Sequence, residues 1–199
     1  MKRKLWSFPL TIPIFLLIPA VIGANIIGKS LAELLKLPLW LDSIGTVLAG
    51  LIGGPIIGAI AGLAGNIIYS FTISPTSLYY SLTSVAIGLS AGILSRLGFA
   101  RNWHSVGIIA ITIIIVSSVF STPINVIFYG GLTGNIWGDA IYQPLINANM
   151  NLWLASFVVE LLIELPDKLF TVMAAYLLLF SLPKKILDLY GIVAEDKYL

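Results

Sequence analysis

The chain has 199 residues, 58% of them hydrophobic and 10% charged, with a mean hydropathy of +1.01 and a formal net charge of +2. An ordinary soluble domain carries about 25% charged residues, so this composition excludes that class and implies an integral membrane protein. The absence of Cys excludes a disulfide framework and thiolate zinc sites, and the small charge, gathered near segment ends, offers no nucleic-acid surface.

A membrane crossing needs roughly 20 apolar residues. The apolar runs therefore predict an all-α integral membrane bundle of six transmembrane helices, at about 8–29, 42–53, 55–73, 78–96, 104–129 and 151–181, in a single domain over 1–199. The Met1-Lys-Arg-Lys start resembles a signal peptide, but the run from Leu5 to Gly28 exceeds the roughly 7–15 residues of that element's apolar core. Gly53-Gly54-Pro55 separates segments two and three and predicts a tight helical hairpin. Segment six is long enough to tilt, kink at Pro166 or begin above the membrane. Lys2, Arg3, Lys4, Arg96, Arg101, Lys184 and Lys185 fall on one side of a six-span bundle, which places both termini in the cytoplasm. On the opposite side, Lys29 and Lys36 are partly offset by Glu33, Asp42 and Asp139. Two longer connections lie there, an amphipathic one from Lys29 to Leu41 and a Gly-, Asn- and aromatic-rich one from Tyr129 to Met150, of the kind that forms lids.

Segment one carries Ala20, Ala24 and Gly28 at four-residue spacing, a small-residue stripe that lets helix backbones approach closely, either within the bundle or against another membrane subunit. Gly54, Gly58 and Gly62 form a second ladder, read as packing of the hairpin. Asn66, with Tyr69 one turn on, offers an amide and a hydroxyl to a ligand or to a neighbouring helix. Trp40, Tyr79, Tyr80, Trp137 and Trp153 are expected at one interface, as anchors or as a cup that stacks on a flat ring. Asn125 follows Pro123, where a kink would turn an amide inward. The sole histidine, His104, has no metal-site partners by spacing, and no zincin, phosphate-loop or nucleophile-elbow motif occurs. Neither a metal nor enzyme chemistry is expected.

The most demanding stretch is Trp153 to Lys168. Glu160, Glu164, Asp167 and Lys168 stand at i, i+4, i+7 and i+8 of an otherwise apolar helix and share one face. A charge near the bilayer centre costs about 3 kcal/mol on insertion scales, so this face must meet a bundle interior or a wet cavity. Glu164 and Lys168 are spaced to pair, which would leave Glu160 and Asp167 for ligand or loop contacts.

Six helices in about 200 residues, the Ala20-xxx-Ala24 stripe and the stretch LDSIGTVLAGLIGGPIIGAIAGLAGN together resemble the substrate-binding S-components of energy-coupling factor (ECF) vitamin transporters. The resemblance covers nearly the whole chain. It implies a vitamin held near the outer surface of a prokaryotic plasma membrane by helices four to six, beneath the loops at about 30–41, 72–78 and 130–150. It also implies that Ala20 and Ala24 meet a membrane T-component, and that ATP is used by two partner cytoplasmic ATPases while this chain binds no cofactor. The vitamin itself is argued from charge. The expected site holds Glu160, Glu164 and Asp167 but no Arg, so an anionic vitamin would lack a bidentate clamp. A pyridine or pyrimidine ring such as pyridoxine, hydroxymethylpyrimidine or a thiamine-like molecule fits better, stacked on Trp or Tyr, with cobalamin as the alternative. Two readings of other classes stay open. One is a membrane sensor module, for which a signalling domain would be expected after Lys184; the other is a proton-linked secondary carrier using the Glu160 face.

Overall fold

The computed structural model describes residues 5–6, 12–100 and 103–190, and every regular element among them is helical. In order these are α1 (Ile12–Leu34), α2 (Ile44–Gly53), α3 (Pro55–Thr72), a 3-10 turn (Pro75–Leu78), α4 (Ser81–Arg96), α5 (Trp103–Tyr129), α6 (Ile136–Asn147), α7 (Leu152–Ser181) and α8 (Lys184–Leu189). Lys2, Arg3, Lys4, Arg101 and the expected start of segment one at residue 8 lie outside the described residues, as do the side chains of His104 and Lys184.

α1, α3 and the Ser105–Tyr129 part of α5 are long and apolar enough to cross a membrane. α4 has 16 residues. α7 has 30 residues but contains Glu160, Glu164, Asp167 and Lys168, all buried. Each expected segment contains a helix, with three differences. α1 continues to Leu34, past the expected end at residue 29. The connection expected from Tyr129 to Met150 contains a helix of its own, α6, whose cap is Asn135: its side chain accepts from the Trp137 N–H. Pro166 lies inside α7 without dividing it.

The length of α2 matters most for the site. α2 has only 10 residues, a rise of roughly 15 Å, about half the hydrocarbon thickness of a bilayer. The non-helical segment 35–43 before it runs into the bundle, where Leu41 and Ser43 are buried. Buried backbone must find internal hydrogen-bond partners, and two side chains supply them. Asp167 Oδ1 accepts from the N–H groups of Trp40 (2.9 Å) and Leu41 (2.8 Å). Asn25 Oδ1 of α1 accepts from Gly45 N (2.7 Å) and Thr46 N (3.3 Å), the first N–H groups of α2, which Ser43 leaves without a side-chain cap. Leu41 pays for this path with a left-handed φ of 51°, uncommon for a bulky residue and held there by the clamp on either side.

α3 packs most extensively on α4, α5 on α7, and α2 on α3 and α4. A Cβ added at Gly88 would lie 2.3 Å from the Gly58 backbone, so α3 and α4 touch main chain to main chain. At the hairpin, Gly54 takes φ +91°, which a side chain would resist, and Arg96 Nη2 donates to the Gly53 carbonyl (2.8 Å). A core containing Val47, Ile52, Ile57, Ile87, Ile109, Ile113, Val172, Ala175 and Tyr176 fills the bundle toward this hairpin end. The opposite end, where segment 35–43, the 3-10 turn, the α5–α6 connection and the start of α7 come together, is hollow.

Candidate functional site: a charged cavity at one end of the bundle

The hollow is a cavity of about 460 Å³. Its wall draws on the last turns of α1 (Lys29, Glu33), the descending segment (Trp40, Asp42), residues Tyr80 to Ile87 around the start of α4, Ser121 and Tyr129 of α5, Leu132 to Asp139, and Glu160, Glu164 and Lys168 of α7. The four-residue spacing on α7 runs Glu160, Glu164 and Lys168 down one side.

Lys168 is the hub of the charges. Its Nζ lies 2.6 Å from Asp167 Oδ2, 3.2 Å from Glu164 Oε2 and 3.4 Å from Asp42 Oδ1, and it donates to Ser43 Oγ at 3.1 Å. The expected Glu164–Lys168 pair is thus present as one arm of a four-residue cluster. A lysine 1% exposed persists only with such partners, and these tie the descending segment to α7. Glu164 Oε2 also accepts from Ser117 Oγ of α5 (2.7 Å). Asp42 lies in the connection between α1 and α2.

Glu160 is different. It is 2% exposed and makes no ion pair among the described residues. Its Oε2 accepts from Asn125 Nδ2 (3.0 Å), and Asn125 Oδ1 in turn accepts from the Tyr80 hydroxyl (2.6 Å). The Tyr80 and Tyr129 rings are parallel within 4°, with centroids 6.4 Å apart, and form an aromatic wall beside this chain of hydrogen bonds. Two further polar atoms of the lining residues, Trp40 Nε1 and the Tyr129 hydroxyl, are buried without a hydrogen-bond partner.

At the rim, Lys29 Nζ donates to Ser77 Oγ (2.7 Å) and sits 4.4 Å from the centre of the Tyr69 ring, while the Tyr69 hydroxyl donates to Glu33 (2.8 Å). Asp139 of α6 accepts from Thr133 N, Thr133 Oγ1 and Gly134 N, which fixes the turn that closes one side of the cavity.

Of the residues expected to bind a ligand, Trp40, Tyr80, Glu160 and Glu164 line this cavity. Asn125 stands behind it, holding Glu160. Asp167 does not line it: both of its oxygens are occupied, by the Trp40 and Leu41 backbone and by Lys168. Asn66 is bonded to Ser84 Oγ and the Gly62 carbonyl, so its amide serves the α3–α4 contact. Tyr79 stacks on Phe128 away from the cavity wall, at 4.2 Å between centroids. Trp137 and Trp153 are about half exposed, and Trp137 Nε1 donates to the Lys36 carbonyl (2.9 Å). On α1, Ala20 is exposed and Ala24 partly exposed, but Gly28 is buried against the Leu41 backbone, where a Cβ would come within 2.2 Å of the carbonyl oxygen. The expected partner-facing stripe therefore reduces to Ala20 and Ala24.

Lys29, Asp42, Ser121, Tyr129 and Asp139 are among the lining residues that had not been singled out as site residues. Lys29 and Asp42 carried a readable signal, as charges flanking apolar runs on the loop-rich side; Ser121 and Tyr129 carried none. Among the described residues no group of His, Asp and Glu has the arrangement to hold a metal ion. The chain matches no protein-family model, no curated protein and no solved structure.

Proposed function

We propose that this chain is a substrate-binding membrane protein that captures a small polar molecule in the end cavity. More particularly, we propose that it is the S-component of an ECF-type importer for a pyridine or pyrimidine vitamin. One observation carries the reading: a cavity of about 460 Å³ combines an aromatic wall with a carboxylate-rich lining, the pattern of a small-ligand site with a few placed polar groups. The volume favours a single small ring over a ligand as large as cobalamin. In this reading the chain crosses the membrane six times with cytoplasmic termini, as the Lys and Arg distribution suggests, and the cavity opens outward. The exposed Ala20 and Ala24 face receives the T-component, and two partner ATPases supply the energy; the chain itself performs no chemistry. The test is to purify the full chain from its native membrane and analyse the retained small molecule by mass spectrometry, with the co-purifying proteins. A retained ring vitamin together with a T-component and ATPases is the expected result. Failure to bind any of a vitamin panel by calorimetry, with no such partners, would end the proposal.

A further inference from the structure

The cavity's charges are unevenly satisfied, and the imbalance says what is missing. Lys168 answers Glu164, Asp167 and Asp42, and Asp139, which is partly exposed, has its Oδ1 bonded by two N–H groups and a hydroxyl. Glu160 has neutral donors alone, and the nearest charged neighbour on its own face of α7 is another carboxylate, Glu164. Among the residues lining the cavity, five carboxylates (Glu33, Asp42, Asp139, Glu160, Glu164) face two ammonium groups (Lys29, Lys168). A carboxyl group buried without a counter-charge is costly to ionise, and a ligand that brings a positive charge offsets that cost. Two of the lining residues also carry buried polar atoms without partners, Trp40 Nε1 and the Tyr129 hydroxyl; an indole N–H can only donate, so an acceptor that reached it would satisfy it.

We infer that the cavity selects a heteroaromatic cation without a phosphate group. Its N–H edge lies on Glu160, its ring against the Tyr80–Tyr129 wall, and an acceptor oxygen or ring nitrogen takes the Trp40 indole N–H and the Tyr129 hydroxyl. This rests on the reading of the cavity as a substrate site and adds the charge and polarity of the substrate. Asn125 and Tyr80 act as positioning residues, holding the Glu160 carboxylate in one orientation. A phosphorylated form of the same ring would bring two negative charges into a carboxylate-rich space that contains no Arg fork to receive them.

The experiment is isothermal titration calorimetry on the detergent-solubilised full chain with matched probes: thiamine against thiamine monophosphate, pyridoxamine against pyridoxamine phosphate, pyridoxine as the uncharged member and pantothenate as the anion. The expected result is that a cationic probe binds best and that its phosphorylated partner binds at least about tenfold more weakly. E160Q should lose at least about tenfold for the cation and much less for pyridoxine, with an unchanged melting temperature, because an amide can still bond Asn125. W40F, which deletes the indole N–H and keeps an aromatic ring, should weaken binding by about three- to tenfold and serves as a second probe should E160Q fail to fold. If a phosphorylated, neutral or anionic probe binds as tightly as the cation, or E160Q binds the cation unchanged, the charge rule is wrong and the substrate-site reading survives. If no probe of any charge binds, both are overturned.

Discussion

Replacing Lys168 by Met tests whether the cluster at the cavity floor holds the descending segment in place. The change keeps a long unbranched side chain and removes the ammonium that lies within 3.4 Å of three carboxylates. At an effective dielectric near 20, each such contact is worth roughly 5 kcal/mol of gross attraction, most of it offset by the cost of burying the charges. The net loss on breaking a buried pair is about 3–5 kcal/mol, because the partners stay behind uncompensated. In a chain of this size about 1 kcal/mol shifts the melting temperature by roughly 2–4 °C, so K168M should melt about 6–20 °C below the parent, followed by circular dichroism in one detergent. Adding D167N should recover part of that loss, since the strongest orphaned charge is then removed. An unchanged melting temperature for K168M, or a further additive loss for the double variant, would refute the claim that the four charges act as one unit.

Y80F removes the hydroxyl that holds Asn125; the loss of one such hydrogen bond, about 0.5–1.5 kcal/mol, should weaken ligand binding about three- to tenfold with little change in fold, and unaltered affinity would take Asn125 out of the positioning role. Leucine at Ala20 and Ala24, on the exposed side of α1, should abolish uptake in cells while calorimetric binding persists, whereas equal loss of both would place that face in internal packing.

What the sequence made legible, and what it did not, follows from where each interaction closes. Glu160, Glu164 and Lys168 announce themselves because charges at helical spacing in an apolar run cannot face lipid, and the Glu164–Lys168 contact closes within one turn. Asp167 was equally visible, but its job was not. Its partners are the Trp40 and Leu41 N–H groups, separated from it by 127 and 126 positions, and they need an acceptor because that segment runs into the bundle. Asn25 sits inside an apolar run and draws no attention, yet it caps α2 from another helix. α6 was hidden by Gly138 and Pro144, residues that read as loop; the signal available was Asn135 as a cap, with Asp139 in the first turn. Trp137 and Trp153 were grouped with Trp40 by depth alone. Depth is shared by every interfacial aromatic, whereas lining a cavity depends on rotation about the helix axis, which single residues do not reveal.

The arrangement also bears on whether a chain with the proposed function could move a bound molecule unaided. A proton-linked carrier using Glu160 and Glu164 needs polar groups that continue beyond them. Below Lys168, the buried residues of α7 are Thr171, Val172, Ala175, Tyr176 and Leu179, and most of these belong to the core that α2, α3 and α5 fill with Val47, Ile52, Ile57, Ile109 and Ile113. Close contact of α3 with α4 at Gly58 and Gly88 leaves no room for these helices to slide past each other without losing main-chain packing. A molecule in the cavity therefore faces a close-packed, largely apolar floor, and its passage requires a larger movement than side-chain gating. Proteoliposomes containing this chain alone should accumulate no radiolabelled cation when a pH gradient is imposed, although the same preparation binds it. Gradient-driven accumulation without ATP or partner proteins would establish a carrier, and the floor would then have to open from within.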